Sequence, residues 1–131
     1  MAEQYDMLED IMTTQKLAQE FRGFKFPMEG PNAAQYIKTQ TLHCIDELCE
    51  MLHEIKGYKE WKKYDFSDAE DNRSKRILAK EELVDAFHFF LNIAIALNIS
   101  PADLYRAYMA KSRINYSRLT NTTEYKKDTE D

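Results

Sequence analysis

Two short motifs carry the residues best placed to do chemistry, Glu47-Leu-Cys-Glu50 and Glu82-Leu-Val-Asp85. Residues three apart on a helix share a face, so each motif presents two carboxylates together. Like charges held that closely repel, cheaply in water and expensively when partly buried. Both pairs enclose apolar positions, Leu48 and Cys49 in one and Leu83 and Val84 in the other, which sets each pair at the margin of a core-facing surface. If the two helices pack against each other, four carboxylates converge on one place. An oxygen-only, hard, anionic site of that kind suits Mg²⁺, with Mn²⁺ as a substitute.

A single E-x-x-E is common on solvated helix faces, so the neighbouring positions matter. At ~100° per residue, His43, Glu47, Glu50 and Glu54 fall in one stripe. Lys75, Glu82, Asp85, Phe89 and Asn92 fall in another. A stripe running from a base through acids to an aromatic ring and an amide describes the lining of a pocket. Further along, Lys111, Asn115 and Arg118 share a face below Leu104 and Tyr108. They form either a basic helix end favoured by the dipole or a set of donors for phosphate oxygens. Trp61, in Tyr58-Lys-Glu-Trp61-Lys-Lys-Tyr64, is a staple for its loop or a ring that stacks on a base. His88, between Phe87 and Phe89, reads as a hydrogen-bonded core histidine. Cys49 lies on the opposite side of its helix from Glu47 and is expected in the core. Cys44 and Cys49 lack zinc spacing, and a Cys49–His53 pair lacks companion ligands.

Helices must position these groups. The first is expected from about Gln4 to Phe21, with Met7, Leu8, Ile11, Met12, Leu17 and Phe21 as its apolar face. The run Gly23 to Pro31 breaks it. The second follows Asn32 as N-cap to about Lys56, where Gly57 stops it. Its core face is expected from Ile37, Thr41, Leu42, Ile45, Leu48, Leu52 and Ile55. A charged connection over 58–73 leads to a third helix near Ser74 to Asn98. Ser100 caps a fourth, with Pro101 at its first position and Asp103 at its third, reaching about Arg118. No segment alternates with period two, so the fold class is all-α, a four-helix bundle in a single domain spanning 1–131, with 119–131 as a frayed tail. From Leu83 to Leu97 the third helix is apolar in every direction, and four helices hardly enclose one of their own completely. A homo-oligomer, dimer or tetramer, follows as an expectation.

Composition narrows the class. With 131 residues, 18 Lys and Arg against 23 Asp and Glu, and only three Gly and three Pro, the chain is a single domain too poor in turn formers for a sandwich or barrel. A formal charge of −5 argues against nucleic-acid phosphates as the main partner. The acidic N-terminus carries no signal-peptide pattern, and the apolar run at Leu83–Leu97 is too short and too interrupted to span a membrane. A soluble, reduced, cytoplasmic protein is the expectation.

The motifs resemble those of the all-α nucleoside triphosphate pyrophosphohydrolases, the MazG-like proteins with the dimeric dUTPases and dCTPases, which share E-x-x-E followed by E-x-x-D. The stretch EELVDAFHFFLNIAIALNISPADLYRAYMAKSRINYSRL is most similar to the phage-type dUTPase and dCTPase branch, through its F-H-F-F run and its K-x-x-x-N-x-x-R ending. WKKY and Gln15 match that branch as well, and the similarity runs over about residues 8 to 125.

The resemblance implies hydrolysis of a deoxynucleoside triphosphate to its monophosphate and pyrophosphate. It implies Glu47, Glu50, Glu82 and Asp85 as Mg²⁺ ligands, with Glu47 or Glu50 orienting the nucleophile. Lys111, Asn115 and Arg118 would hold phosphates, and Gln15, Trp61, Phe89 and Asn92 would line the base and sugar site. A side-chain amide offers a donor or an acceptor, so Gln15 and Asn92 by themselves read neither uracil nor cytosine. The wording of the last two helices puts dUTP first, then dCTP, then a purine such as dGTP. The rival readings are a non-enzymatic helical interaction module, which leaves the matched acid pairs unexplained, and a metal-storage bundle, which carboxylates with few histidines suit poorly.

Overall fold

The structure is a computed structural model and describes residues 6–55, 61 and 69–120, the side chains of 69–72 excepted. The expectations for Lys56, Gly57, most of the 58–73 connection and the end of the tail lie outside the described residues. Four helices follow in order: α1 Met7–Phe21, α2 Gly30–Ile55, α3 Ala69–Ala96 and α4 Pro101–Thr120. No strand occurs among the described residues, as the absence of period-two patterning requires.

Local chemistry sets most of the boundaries. Asp6 caps α1 by accepting from the Glu9 backbone N–H at 3.1 Å, so the helix starts three residues later than expected. It closes on Gly23, whose φ of +100° allows the N–H of Gly23 and of Phe24 to return to the carbonyls of Glu20 and Gln19. α2 begins at Gly30, so Asn32 lies inside its first turn and is not its cap. Pro31 occupies a first-turn position whose N–H has no helical acceptor, so the helix extends upstream through it. α3 starts at Ala69, five residues before Ser74, and ends at Ala96. Asn98 takes the left-handed conformation there, with φ of +58°. The N–H groups of Asn98 and Ile99 return to the carbonyls of Ile95 and Ala94, each at 3.0 Å. The chain then turns sharply, and α4 departs from α3 at 105°. Ser100 Oγ accepts from the Asp103 N–H at 3.1 Å, and the Asp103 carboxylate bonds back to Ser100, completing the expected capping box.

The main contact is between α2 and α3, which run antiparallel: Gln40 meets Asn92, the Cys44 thiol meets the Ala86 carbonyl at 3.4 Å, and Glu47 meets Glu82 and Asp85. α1 lies on α3, and α4 touches α1. Met12, Leu91, Ala94 and Ile95 form the core, with Leu8, Phe26, Ile99 and Leu104 packed against it. Phe24 and Phe26 set their rings edge-on to Tyr36.

The covered faces differ from those expected. In α1, Met12 is buried but Met7, Ile11 and Leu17 are exposed, and Phe21 is 95% exposed. In α2, Leu42, Ile45 and Leu48 are exposed while Tyr36 and Gln40 are buried. Cys49 is exposed, not in the core. In α3, Leu91, Ala94, Ile95 and Ala96 are covered and Leu83, Val84, Phe87, Phe90 and Leu97 are not. Periodicity identifies apolar faces, but a single chain of this size covers only some of them. No single described helix is long and apolar enough to cross a membrane.

Leu91 is fully buried at the centre of this core. Leu91→Ala should therefore lower stability by about 2–5 kcal/mol, read as a shifted urea midpoint. A change under about 1 kcal/mol would place the core elsewhere.

Candidate active site

The antiparallel α2–α3 seam brings the two acid motifs together. Carboxylate oxygens of Glu47, Glu82 and Asp85 all lie within 4.8 Å of one another. Glu50 reaches the same group through its contact with Glu82. The packing has an electrostatic cost. Hydrogen bonding and repulsion from Glu82 push the Glu50 carboxyl above the usual range. Glu82 is raised by its hydrogen bond with Glu47 and by desolvation. For Glu47 the hydrogen bond from Glu82 acts downward, but burial and the charges of Glu50 and Asp85 prevail and raise it. Glu47 Oε2 is screened from solvent and receives no hydrogen bond.

Beside the acids opens a cleft of about 360 Å³, lined by Gln15, Ala18 and Gln19 of α1 with Arg22 at its C-cap, and from the seam by Glu47, Asp85, His88, Phe89 and Asn92. The two expected stripes do face each other: His43 stacks on Phe89 with ring centroids 5.0 Å apart. His88 is not a core histidine. It is exposed, with Nδ1 3.9 Å from Asp85 Oδ1, one turn along α3 on the acid edge. A larger cavity, about 580 Å³, lies between the first half of α2 and the Gly23–Glu29 turn.

Of the residues singled out from sequence, the structure brings Glu47, Asp85, Gln15, Phe89 and Asn92 to this one cleft, with Glu82 and Glu50 at its acid end. Trp61 is 74% exposed and is not among the lining residues. Lys111, Asn115 and Arg118 lie on α4, the last two bonded at 3.4 Å, and are not among the lining residues of this chain's cleft. Arg22 and Gln19 were not anticipated. With Gln15 and Ala18 they make an i, i+3, i+4, i+7 stripe on α1, a signal present in the sequence but polar, and so indistinguishable there from a solvated face.

A family model described as dUTPase matches residues 4–103. The chain belongs to the dUTPase family. The match contains all four acids, Gln15, Trp61, Phe89 and Asn92, and stops before Lys111, Asn115 and Arg118. Among curated relatives, the dCTP pyrophosphatase of Enterobacteria phage T4 is 33% identical over 95 residues, covering 60% of this chain and 56% of that protein. The dCTP pyrophosphatase of Enterobacteria phage LZ5 is 27% identical over 100 residues, covering 63% and 58%. The chain thus spans under two thirds of the length of either relative. No solved structure matches it significantly.

The acid cluster of this dUTPase-family chain fits a hard divalent cation. Its donors are all carboxylate oxygens, and one of them, Glu47 Oε2, is buried without a hydrogen bond. The raised carboxyls also set a pH signature. Because the folded chain binds these protons more tightly than the unfolded chain, their stabilising contribution is fully present below the ordinary carboxylate value, about pH 4, and is lost as pH rises through the raised values. In chelator, the wild-type melting temperature relative to that of Glu50→Gln should fall as pH rises across that range. Added divalent cation should restore stability most at the alkaline end. A difference that stays flat with pH would remove the carboxylate repulsion.

Proposed function

We propose that this chain hydrolyses a pyrimidine deoxynucleoside triphosphate to its monophosphate and pyrophosphate, with dUTP the first candidate and dCTP the second. The observation that carries this reading is the convergence of Glu47, Glu82 and Asp85 at the wall of a cleft that also holds an aromatic ring, two amides and Arg22. Membership of the dUTPase family and likeness to proteins named dCTP pyrophosphatase support it.

Glu47, Glu82 and Asp85, with Glu50 alongside, would hold Mg²⁺. The ion would neutralise triphosphate oxygens and lower the pKa of water beside it. Glu47 or Glu50 orients the attacking water and takes its proton, a role suited to carboxyls whose proton affinity the crowding has raised. One phosphorus–oxygen bond forms to water oxygen. The bond from the attacked phosphorus, α or β, to the oxygen bridging the two breaks, and that oxygen leaves with the electron pair on the other product. Arg22 on the cleft wall, and Lys111, Asn115 and Arg118 on α4, hold phosphate oxygens. Phe89 and the amides of Gln15 and Asn92 border the base and sugar, with Trp61 as the stacking ring. An interaction module of the same fold would have no use for the acid cluster.

The oligomer belongs to this proposal. Cys44, Leu48, Leu83, Val84, Ala86, Phe87 and Phe90 line a groove of about 510 Å³ with no polar surface, and Phe87 stacks on Phe90 with centroids 6.1 Å apart. A second copy of the chain covers it, since the groove runs along the same α2–α3 pair whose other edge carries the acids.

Pyrophosphate release across the dNTPs tests the activity. Turnover should need Mg²⁺, and Glu50→Gln and Asp85→Asn should each lose about 100-fold or more while melting cooperatively. Full activity in both variants would take the carboxylates out of the chemistry. Sedimentation of the wild type should give a dimer or tetramer, and Phe87→Glu should shift it to the monomer. A monomeric wild type would dismiss the covering copy.

A further inference from the structure

Asn92 is 2% exposed, and both ends of its side chain are engaged. Its Oδ1 accepts from Gln15 Nε2 at 2.8 Å, and its Nδ2 donates to Gln40 Oε1 at 2.8 Å. Gln40 is itself buried and does not line the cleft; it borders the larger cavity between the first half of α2 and the Gly23–Glu29 turn. Three amides therefore form a chain from α2 through α3 to α1, from that cavity to the cleft wall. In such a chain direction is transmitted. While Gln40 presents oxygen, Asn92 must turn its nitrogen to Gln40 and its oxygen to Gln15. Gln15 must then turn its nitrogen to Asn92, which leaves its Oε1 as the acceptor free for the cleft. A reversed Gln40 would reverse every member.

Resting on the reading of the cleft as a pyrimidine nucleotide site, we propose that Gln40 is a positioning residue that sets the direction of the Gln40–Asn92–Gln15 amide chain and so fixes the hydrogen-bonding edge offered to the base. The side chain acts from outside the cleft, through Asn92. A second bridge, Tyr36 Oη donating to the buried Gln19 Oε1 at 2.8 Å, runs beside it and braces α1 against α2. Burial pushes the Tyr36 phenol up to about 12.

The test turns on an ordering of two variants. Gln40→Glu keeps an acceptor opposite Asn92 Nδ2, whereas Gln40→Met keeps volume and removes the acceptor. If Gln40 only fills space, Met is the milder change, because a buried acid is the costlier replacement. If it directs the chain, Glu is the milder change for substrate binding. KM for the preferred pyrimidine dNTP should stay within about twofold in Gln40→Glu and rise about fivefold or more in Gln40→Met, with kcat little altered. Equal KM values in the two, or the opposite order, would overturn the proposal. Side-chain amide NMR of the wild type gives a readout independent of any variant. The Asn92 Nδ2 protons should exchange with solvent far more slowly than those of an exposed asparagine, and exchange at the free rate would overturn it equally. A wild type that hydrolyses no dNTP would defeat the functional reading, while the exchange measurement would still decide the amide chain.

Discussion

Mutual repulsion among carboxylates at the α2–α3 seam is the constraint on which the rest of the molecule depends. Glu47, Glu82 and Asp85 are held within 4.8 Å of one another, and each of Glu47, Glu50 and Glu82 binds its proton more tightly than a free carboxyl as a result. Nothing in the acids themselves favours that approach. It is imposed from further along the same helices, where the Asn92–Gln40 bond and the Cys44–Ala86 contact fix the α2–α3 register, while Leu91, Ala94 and Ile95 anchor α3 on Met12 of α1. A one-residue slip of α3 would turn each of its side chains by about 100° and scatter the acids. The site therefore depends on the register of a single helix pair.

Much of this was legible in the sequence because the relevant signals are local. The E-x-x-E and E-x-x-D spacings encode shared faces whatever lies opposite, and the Ser100-Pro101-Ala102-Asp103 run encodes a helix start through bonds within four residues. The facing of the two stripes, seen in the His43–Phe89 stack, was inferable once both were drawn. What was not legible depends on tertiary cover. Leu42 and Ile45 are as apolar as Leu91, yet they are exposed within this chain because no described helix lies over them. Gln19 and Gln40 are buried although their type predicts exposure, since each found a polar partner that only the fold supplies. Arg22 was missed and His88 misread as a core histidine for the same reason: a polar residue type carries no mark of whether its face meets water or a cleft.

The interior of the seam is unusually polar for so small a core. Gln19, Gln40 and Asn92 are buried alongside Leu91 and Ile95. Buried amides add little net stability, because each bond made replaces one with water. An unpaired amide here would be costly, however, and that asymmetry excludes alternative registers that an all-apolar seam would tolerate. The amides thus supply specificity of packing where the apolar contacts supply its strength.

That division has a functional consequence. The amide chain crosses the seam at Gln40 and Asn92, and the acids meet seven residues away on each helix, two turns or roughly 10 Å along the axis. On the proposed reading, recognition through Gln15, Asn92 and Gln40 and chemistry at the acids use different side chains, and the amide chain reaches beyond the α2–α3 pair to α1. On that reading a change in the amides would alter the edge shown to a base while the acids kept their spacing, since the Cys44–Ala86 contact in the core of the seam holds the register between them. The reverse is harder: moving an acid shifts the balance of repulsion that the same core must oppose. On the proposed reading, substrate preference is therefore the more adjustable property, and the carboxylate geometry the more constrained one.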